Sequence, residues 1–316
     1  MNVMKFKFLV GLVLVGIFCG CSTYKQTNAK FLKKWRAGEY EKAAEGYTKY
    51  AGKSKNRDSI IWSLEAGTSL WAAGRYDESN VVFDNAEAMM KEYEDGPAIK
   101  IGGETLAMFS NQANLPYRGY SYDKIMLNTY KALNYMNLGD ADGARVEFKR
   151  ALERQNDAQR IYREQAEEHH KYNGKESGQV ANTAQNFDKS KMTLSGLGAY
   201  EGFLNPYSEF VMGLFYLAYS QDQSDREKSL QSFKRVQGII GENAYLNKDI
   251  QMAEKYVEGG GVPKITYVIF ETGTAPQRDQ VRIDVPIIVA TRKSSVPYVG
   301  AAFPKLEIND NFDSHL

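Results

Sequence analysis

Two cysteines and three histidines in a chain of 316 residues are too few for a disulfide framework or a zinc-ribbon site. Eight prolines exclude a proline-rich or collagen-like chain. Neither sign of charge prevails, with 40 Lys and Arg against 39 Asp and Glu, so there is no cation excess to displace phosphate counterions. Nucleic acid is therefore not an expected partner. Long apolar runs are scarce as well. The run from Phe8 to Phe18 falls short of the ~20 residues that a membrane-spanning helix needs, and nothing beyond it continues the span. What is present is a hydrophobic share of 43% and a charged share of 25%, which excludes wholesale disorder. At ~150 residues per domain, the length suggests about two domains.

The first twenty residues read as an address. Lys5 and Lys7 precede the apolar run, as in a secretory signal peptide over residues 1–20. Phe18-Cys19-Gly20-Cys21-Ser22 then places a small residue just before Cys21 and resembles the lipobox of bacterial lipoproteins. That resemblance implies cleavage before Cys21 and lipidation of its sulfur. It departs from the usual pattern in having aromatic Phe18 three before the cysteine and Cys19 inside the box. The competing reading is an ordinary export site with a small residue at Cys21. Two or more acyl chains give stable anchoring, and Ser22 does not match the Asp of inner-membrane retention. The expected location is therefore the bacterial outer membrane, lipid-anchored and facing the periplasm. Residues 21–30 are polar and read as a tether.

Beyond the tether, one internal spacing recurs. Gly38-Glu39-Tyr40-Glu41-Lys42-Ala43 is echoed by Gly74-Arg75-Tyr76-Asp77-Glu78-Ser79 and by Gly139-Asp140-Ala141-Asp142-Gly143-Ala144. An aromatic follows each small residue four positions on: Tyr47, Phe83 and Phe148. Gly67 and Ala132 each lie seven residues before the second and third glycines. Small residues at Gly67 and Ser79, or at Ala132 and Ala144, predict antiparallel helix pairs packed at close range. Phe83 and Phe148 are expected to fill the groove against the next pair. The three glycines fall where a first helix must turn, at positions that favour positive φ. The pattern resembles the tetratricopeptide repeat, whose period is ~34 residues. Gly213, Tyr216, Ser229 and Phe233 make a degenerate fourth pair, with Asn205 as helix cap and Pro206 in the first turn. Asp95 to Gly119 reads as an inserted excursion, and Lys171 to Ser195 as a polar loop. A generic bundle with accidental periodicity is the alternative.

After Glu258-Gly259-Gly260-Gly261 the period changes. Ile265 to Phe270, Val281 to Val285 and Val296 to Phe303 read as strands of a small β-rich region over 262–316. The expected fold is thus mainly α: a tetratricopeptide-like repeat array over 31–257 with a small β-rich C-terminal segment.

The resemblance extends beyond the repeat. Tyr120-Ser121-Tyr122-Asp123-Lys124, Thr129 to Tyr135 with Leu138-Gly139-Asp140, and Leu64-Glu65-Ala66-Gly67 are similar to stretches of a family of tetratricopeptide-like bacterial envelope lipoproteins. So are Asn205-Pro206-Tyr207 with Gly213 to Tyr216, and Ala275-Pro276 with Arg282 to Pro286. The family likeness implies an envelope lipoprotein without established catalytic residues. Tetratricopeptide arrays in general bind peptides or proteins along a concave groove.

Candidates for chemistry are few. His169-His170 lacks the i, i+4 spacing that suits a metal, and Gly196-Leu197-Gly198 with Gly202 has the wrong spacing for a dinucleotide loop. No cofactor or metal is implied. Glu92, Glu94 and Asp95 read as a solvated charge run. Trp62, Trp71, Tyr130 and Tyr135, on predicted first helices, either fill the inter-helix core or line a ligand groove. Tyr117, Arg118, Tyr120 and Tyr122 form the candidate partner surface, or else a structural plug. The expected function is a non-enzymatic scaffold binding envelope proteins, with a receptor for a peptide, glycan or small ligand as the alternative.

Overall fold

The same turn chemistry closes one helix hairpin after another. In the computed structural model, described over residues 24–51, 58–95, 116–173, 205–262, 264–271, 277–285, 289–290, 295–296 and 299–307, four hairpins follow in order. They are α1 (Tyr24–Arg36) with α2 (Tyr40–Ala51), α3 (Ser59–Ala72) with α4 (Tyr76–Asp95), α5 (Ser121–Asn137) with α6 (Ala141–Asn173), and α7 (Pro206–Ala218) with α8 (Gln223–Ile240). A last helix, α9 (Ala244–Val257), caps them. The leader at 1–20, Cys21 and residues 196–202 lie outside the described residues, as do 96–115 of the excursion and 174–195 of the polar loop.

At the first three turns Gly38, Gly74 and Gly139 take φ of 74°, 76° and 77°. In each, the glycine N–H and the next N–H donate back into the helix. Gly74 reaches Trp71 O at 2.9 Å and Arg75 reaches Leu70 O at 2.9 Å, and Gly139 and Asp140 repeat this on Met136 and Tyr135. The left-handed glycine thus satisfies carbonyls that a helix end leaves open. The fourth hairpin turns without it: Asp222 caps α8, its side chain accepting from the Asp225 N–H at 2.9 Å.

Close approach within a hairpin rests on glycine. A Cβ on Gly67 would sit 2.5 Å from Phe83 Cε1, and one on Gly213 would sit 2.8 Å from Phe233 Cε1. Above each glycine a serine locks the pair: Ser79 Oγ donates to Gly67 O at 2.8 Å, and Ser229 Oγ to Gly213 O at 2.9 Å. In the third hairpin Ala132 and Ala144, both fully buried, share one cluster with Phe148. The aromatics divide their work in a way the spacing did not reveal. Phe83 lies on the glycine of its own hairpin while also meeting Leu127 of α5, whereas Phe148 reaches forward to Phe215 of α7 at 5.1 Å. Ala144→Leu should therefore overfill the α5–α6 contact and cost ~1–3 kcal/mol in chemical denaturation. An unchanged midpoint would mean this contact is not close-packed.

Each core cluster bridges neighbours: Tyr47 with Trp62, Phe83 with Leu127, Phe148 with Phe215, and Phe233 with Ile250. Burying each such aromatic stabilises by ~1.5–3 kcal/mol, and stacking on the next hairpin or helix adds to the burial begun within its own hairpin. A polar latch also joins α7 to α5 and α6. Fully buried Glu209 accepts from Gln155 Nε2 at 3.0 Å and Arg235 Nε at 2.9 Å, while the Thr129 and Ser208 hydroxyls meet at 2.7 Å. Burial pushes the Glu209 carboxyl up, against the pull of Arg235.

Two expectations need correction. The tether expected over 21–30 is helical from Tyr24 onward. Its polar letters hid a stripe in which Tyr24, Thr27 and Phe31 share one face: Tyr24 packs 4.6 Å from Trp62 and donates to Glu65 at 2.9 Å. In the second unit, Pro263–Leu316, residues 265–270 lie outside any strand, because β-propensity builds a strand only where a neighbour supplies the ladder. That unit contains β1 (Gln277–Val285) antiparallel to β4 (Val299–Glu307), from Gln277↔Glu307 to Val285↔Val299, and the short pair β2 (Val289–Ala290) and β3 (Ser295–Val296).

Candidate interaction surface

The chain re-enters the array at 116–120 and must turn onto α5. Gly119 makes the turn with φ of 79°, pressed so close to α4 that a Cβ there would lie 2.8 Å from Met90 Cε. Asp123, in the first turn of α5, then fixes the entry by accepting from the Tyr120 N–H at 2.7 Å and from the Tyr117 hydroxyl at 2.5 Å. Burial, followed by the charge of Asp123, pushes the Tyr117 phenol well above its ordinary range, so it stays a donor.

This frame presents an aromatic cluster. Tyr117 meets Tyr120 edge-on at 5.6 Å, and Tyr120 stacks on Tyr122 at 5.3 Å with planes 15° apart. Arg118 lies 5.8 Å from the Tyr93 ring of α4. Tyr93, Tyr120 and Tyr122 are exposed, while Tyr117 and Arg118 are half-buried. The structure thus brings the four sequence candidates together and adds Tyr93, which the spacing gave no reason to include.

Beside Tyr93, Glu94 belongs to a groove of about 530 Å³ between α4 and α6. Carboxylates outnumber cations along it, with Asp84, Glu87, Glu94 and Asp95 beside Lys91 on the α4 wall and Glu153 and Asp157 beside Arg150 and Arg154 on the α6 wall. Buried Lys131 of α5 ties the walls, at 2.7 Å from Asp84, 3.2 Å from Glu87 and 3.0 Å from Glu147. Asn128 adds a bond to Glu147 at 2.8 Å. Burial would raise the carboxyls of Glu87 and Glu94, but Lys131, Asn128 and Arg150 together outweigh it at Glu87, and Lys124 with Arg154 at Glu94, so both lie below the usual range. The solvated charge run expected at 92–95 therefore holds for Glu92 and Asp95, while Glu94 pairs with Lys124 and Arg154. Nothing in the spacing marked Lys131, whose partners come from two other helices.

Gly67, Ser79, Phe83, Ala132, Ala144 and Phe148 all lie in the hairpin cores. Trp62 is buried among Tyr24, Tyr47 and Tyr50, and Trp71 packs 4.9 Å from Tyr130. Tyr135 packs against the cluster around Phe148. These aromatics hold neighbouring helices together. His169 and His170 lie on α6, their side chains outside the described residues. Among the described residues, no group of three or more His, Cys, Asp or Glu side chains is placed to hold a metal ion, and no helix is long and apolar enough to cross a membrane.

No family model matches the chain, and no curated protein matches it. Among solved structures, a tetratricopeptide repeat protein from Parabacteroides merdae ATCC 43184 is similar at 13% identity, over 73% of this chain and 98% of that one, with a TM-score of 0.19. That likeness is too weak to add to the hairpin geometry. The described residues are mainly helical, and the first three hairpins turn on a left-handed glycine.

Proposed function

We propose that this chain is a non-enzymatic scaffold of the bacterial envelope, anchored through lipid on Cys21, that binds protein partners with the tyrosine cluster at the head of α5 and the charged groove beside it. The observation that carries the reading is the exposed Tyr120–Tyr122 stack, held on a frame of Asp123, Gly119 and Met90. Tyr and Arg on a rigid support are favoured as anchors, because little conformational entropy remains to be lost on binding. The groove adds paired charges at its rim, which select partners and steer encounter. The leader followed by Cys21 and Ser22 supports an outer-membrane location facing the periplasm, and the β-rich region after Val262 is read as a separate part of the exported chain. A narrower form, by analogy with lipoprotein activators of cell-wall synthases, is regulation of peptidoglycan synthesis.

The test is photo-crosslinking in intact cells from probes at Tyr120 and Tyr122, with a probe at exposed Val146 as control. A defined protein should be captured from the first two positions only. Replacing both tyrosines by alanine should then weaken its binding by roughly 30-fold or more, as expected for an anchor worth about 2 kcal/mol. Equal capture from Val146, or none anywhere, would remove the reading. Cys21→Ser should separately release the protein from the membrane fraction, and retention would remove the lipid anchor.

A further inference from the structure

Charge is balanced over the whole chain but not in its first helix. In 13 residues α1 holds Lys25, Lys30, Lys33, Lys34 and Arg36, with neither Asp nor Glu. Its partner α2 sets Glu41 and Glu45 against Lys42 and Lys49, so the excess within this hairpin belongs to α1. The helix sorts its residues by face. Tyr24, Thr27 and Phe31 turn toward the core, while Gln26, Ala29, Lys30, Lys33 and Arg36 on the opposite face are all exposed. Lys34 stands at the border, half-buried, its Nζ 3.5 Å from the Lys42 carbonyl. Among the described residues, Lys30, Lys33 and Arg36 enter no ion pair. The exposed face also lacks a large apolar side chain, because Phe31 is spent on Tyr47 and Trp35 on Tyr40, each at 4.9 Å.

We propose that this face of α1 lies on the anionic phospholipid headgroups of the bilayer that holds Cys21. The inference rests on the lipid anchor proposed above and adds which surface of the molecule meets the membrane. Tyr24 follows Cys21 by three positions, at most ~10 Å of extended chain, so α1 begins about one Debye length from the acylated sulfur. Laid flat, the helix holds Lys30, Lys33 and Arg36 against the headgroups. Stood on end, it would lift Arg36 by ~20 Å, where salt screens the attraction. Charge selects anionic over zwitterionic lipid. With the apolar stripe buried against the next helices, docking proceeds by charge without insertion, and is therefore sensitive to salt.

The test uses the lipoprotein purified from membranes and reconstituted into vesicles of phosphatidylcholine, alone or mixed equally with phosphatidylglycerol. Flotation with the phosphatidylcholine vesicles reports the anchor by itself. A fluorophore on Ala29→Cys then reports quenching by a spin label carried on lipid headgroups, with Val146→Cys of α6 as the control position. Ala29 should be quenched strongly only with phosphatidylglycerol. Raising salt to about 1 M, which cuts the Debye length from ~8 Å to ~3 Å, should reverse this. Each Lys or Arg beside an anionic leaflet shifts the balance by roughly fivefold, so Lys30→Gln, Lys33→Gln and Arg36→Gln together should lower the docked-to-undocked ratio by roughly a hundredfold. Lys30→Arg with Lys33→Arg should leave it unchanged, and helical circular dichroism should be the same throughout. Quenching at Ala29 that ignores phosphatidylglycerol, survives the triple substitution, or is matched at Val146 would overturn the proposal while leaving the anchor standing. A chain that fails to float with phosphatidylcholine would remove the anchor, and the docking of α1 with it.

Discussion

Lys131→Met should destabilise the helical array by about 3–5 kcal/mol in denaturant unfolding, because the side chain is buried and neutralises three carboxylates. The larger part of the loss comes from the acids left behind. Asp84 is largely exposed and recovers water, but Glu87 is half-buried and Glu147 is buried. Glu147 keeps Arg150 at 2.8 Å and Asn128, which places the expected effect toward the lower end. Dependence on pH gives a second reading of the same cluster. Glu87 lies below its ordinary value of 4.5, so its contribution is present above that pH and lost as the pH falls through the depressed value. Burial works to lower the pKa of Lys131, but Asp84, Glu147 and Glu87 outweigh it and raise the pKa above the ordinary 10.5. Its contribution is thus full below that pH and lost only as the pH climbs through the raised value. Wild type should weaken in acid below about pH 4.5, and the variant should show a smaller penalty at pH 3 than at pH 7, because protonated carboxyls need no cation. An equal penalty at both would show that Lys131 acts through packing alone.

Phe83→Ala should cost about 3–5 kcal/mol, the range for emptying a buried aromatic site. The ring is 1% exposed, lies over Gly67 and is packed with Ile60, Ala86, Met90 and Leu127, so its loss opens both the α3–α4 hairpin and the contact with α5. The more telling measurement is a reversal of sign at Gly67. In wild type, Gly67→Ala places a methyl 2.5 Å from the ring and should destabilise by ~1–3 kcal/mol. In the Phe83→Ala background the obstruction is gone, and the same change should stabilise by up to ~1 kcal/mol through helix propensity. Coupling of this kind is expected only between residues in contact. If Gly67→Ala destabilises equally in both backgrounds, the ring is not what requires glycine there.

The turns and the small-residue pairs were legible because their chemistry is local or periodic. A left-handed position selects glycine wherever it occurs, so Gly38, Gly74 and Gly139 stood out without knowledge of the neighbours. The interval from Gly67 to Ser79 survives in the sequence because the two residues face each other across a turn of fixed length. The division of labour between Phe83 and Phe148 was not legible, since the interval places each aromatic on its helix without saying which neighbour it meets. The first helix was expected to begin only at residue 31, for a related reason: residues 24–30 are polar in composition, and the partners of Tyr24, Trp62 and Glu65, lie more than thirty positions away.

The tyrosines were legible as a cluster of letters but not as a surface. Tyr117 turned inward to Asp123, while Tyr120 and Tyr122 stacked outward and Tyr93 joined from another helix. By itself, then, the amino-acid sequence determined where the first three hairpins turn and which residues let their helices touch. Only the tertiary structure decided which charges meet, which aromatics are spent on the core, and that residues 264–271 stand exposed outside any strand. The reason is range: backbone preference and spacing act over a few residues, whereas ion pairing, burial and strand pairing depend on segments that folding brings together from distant parts of the chain.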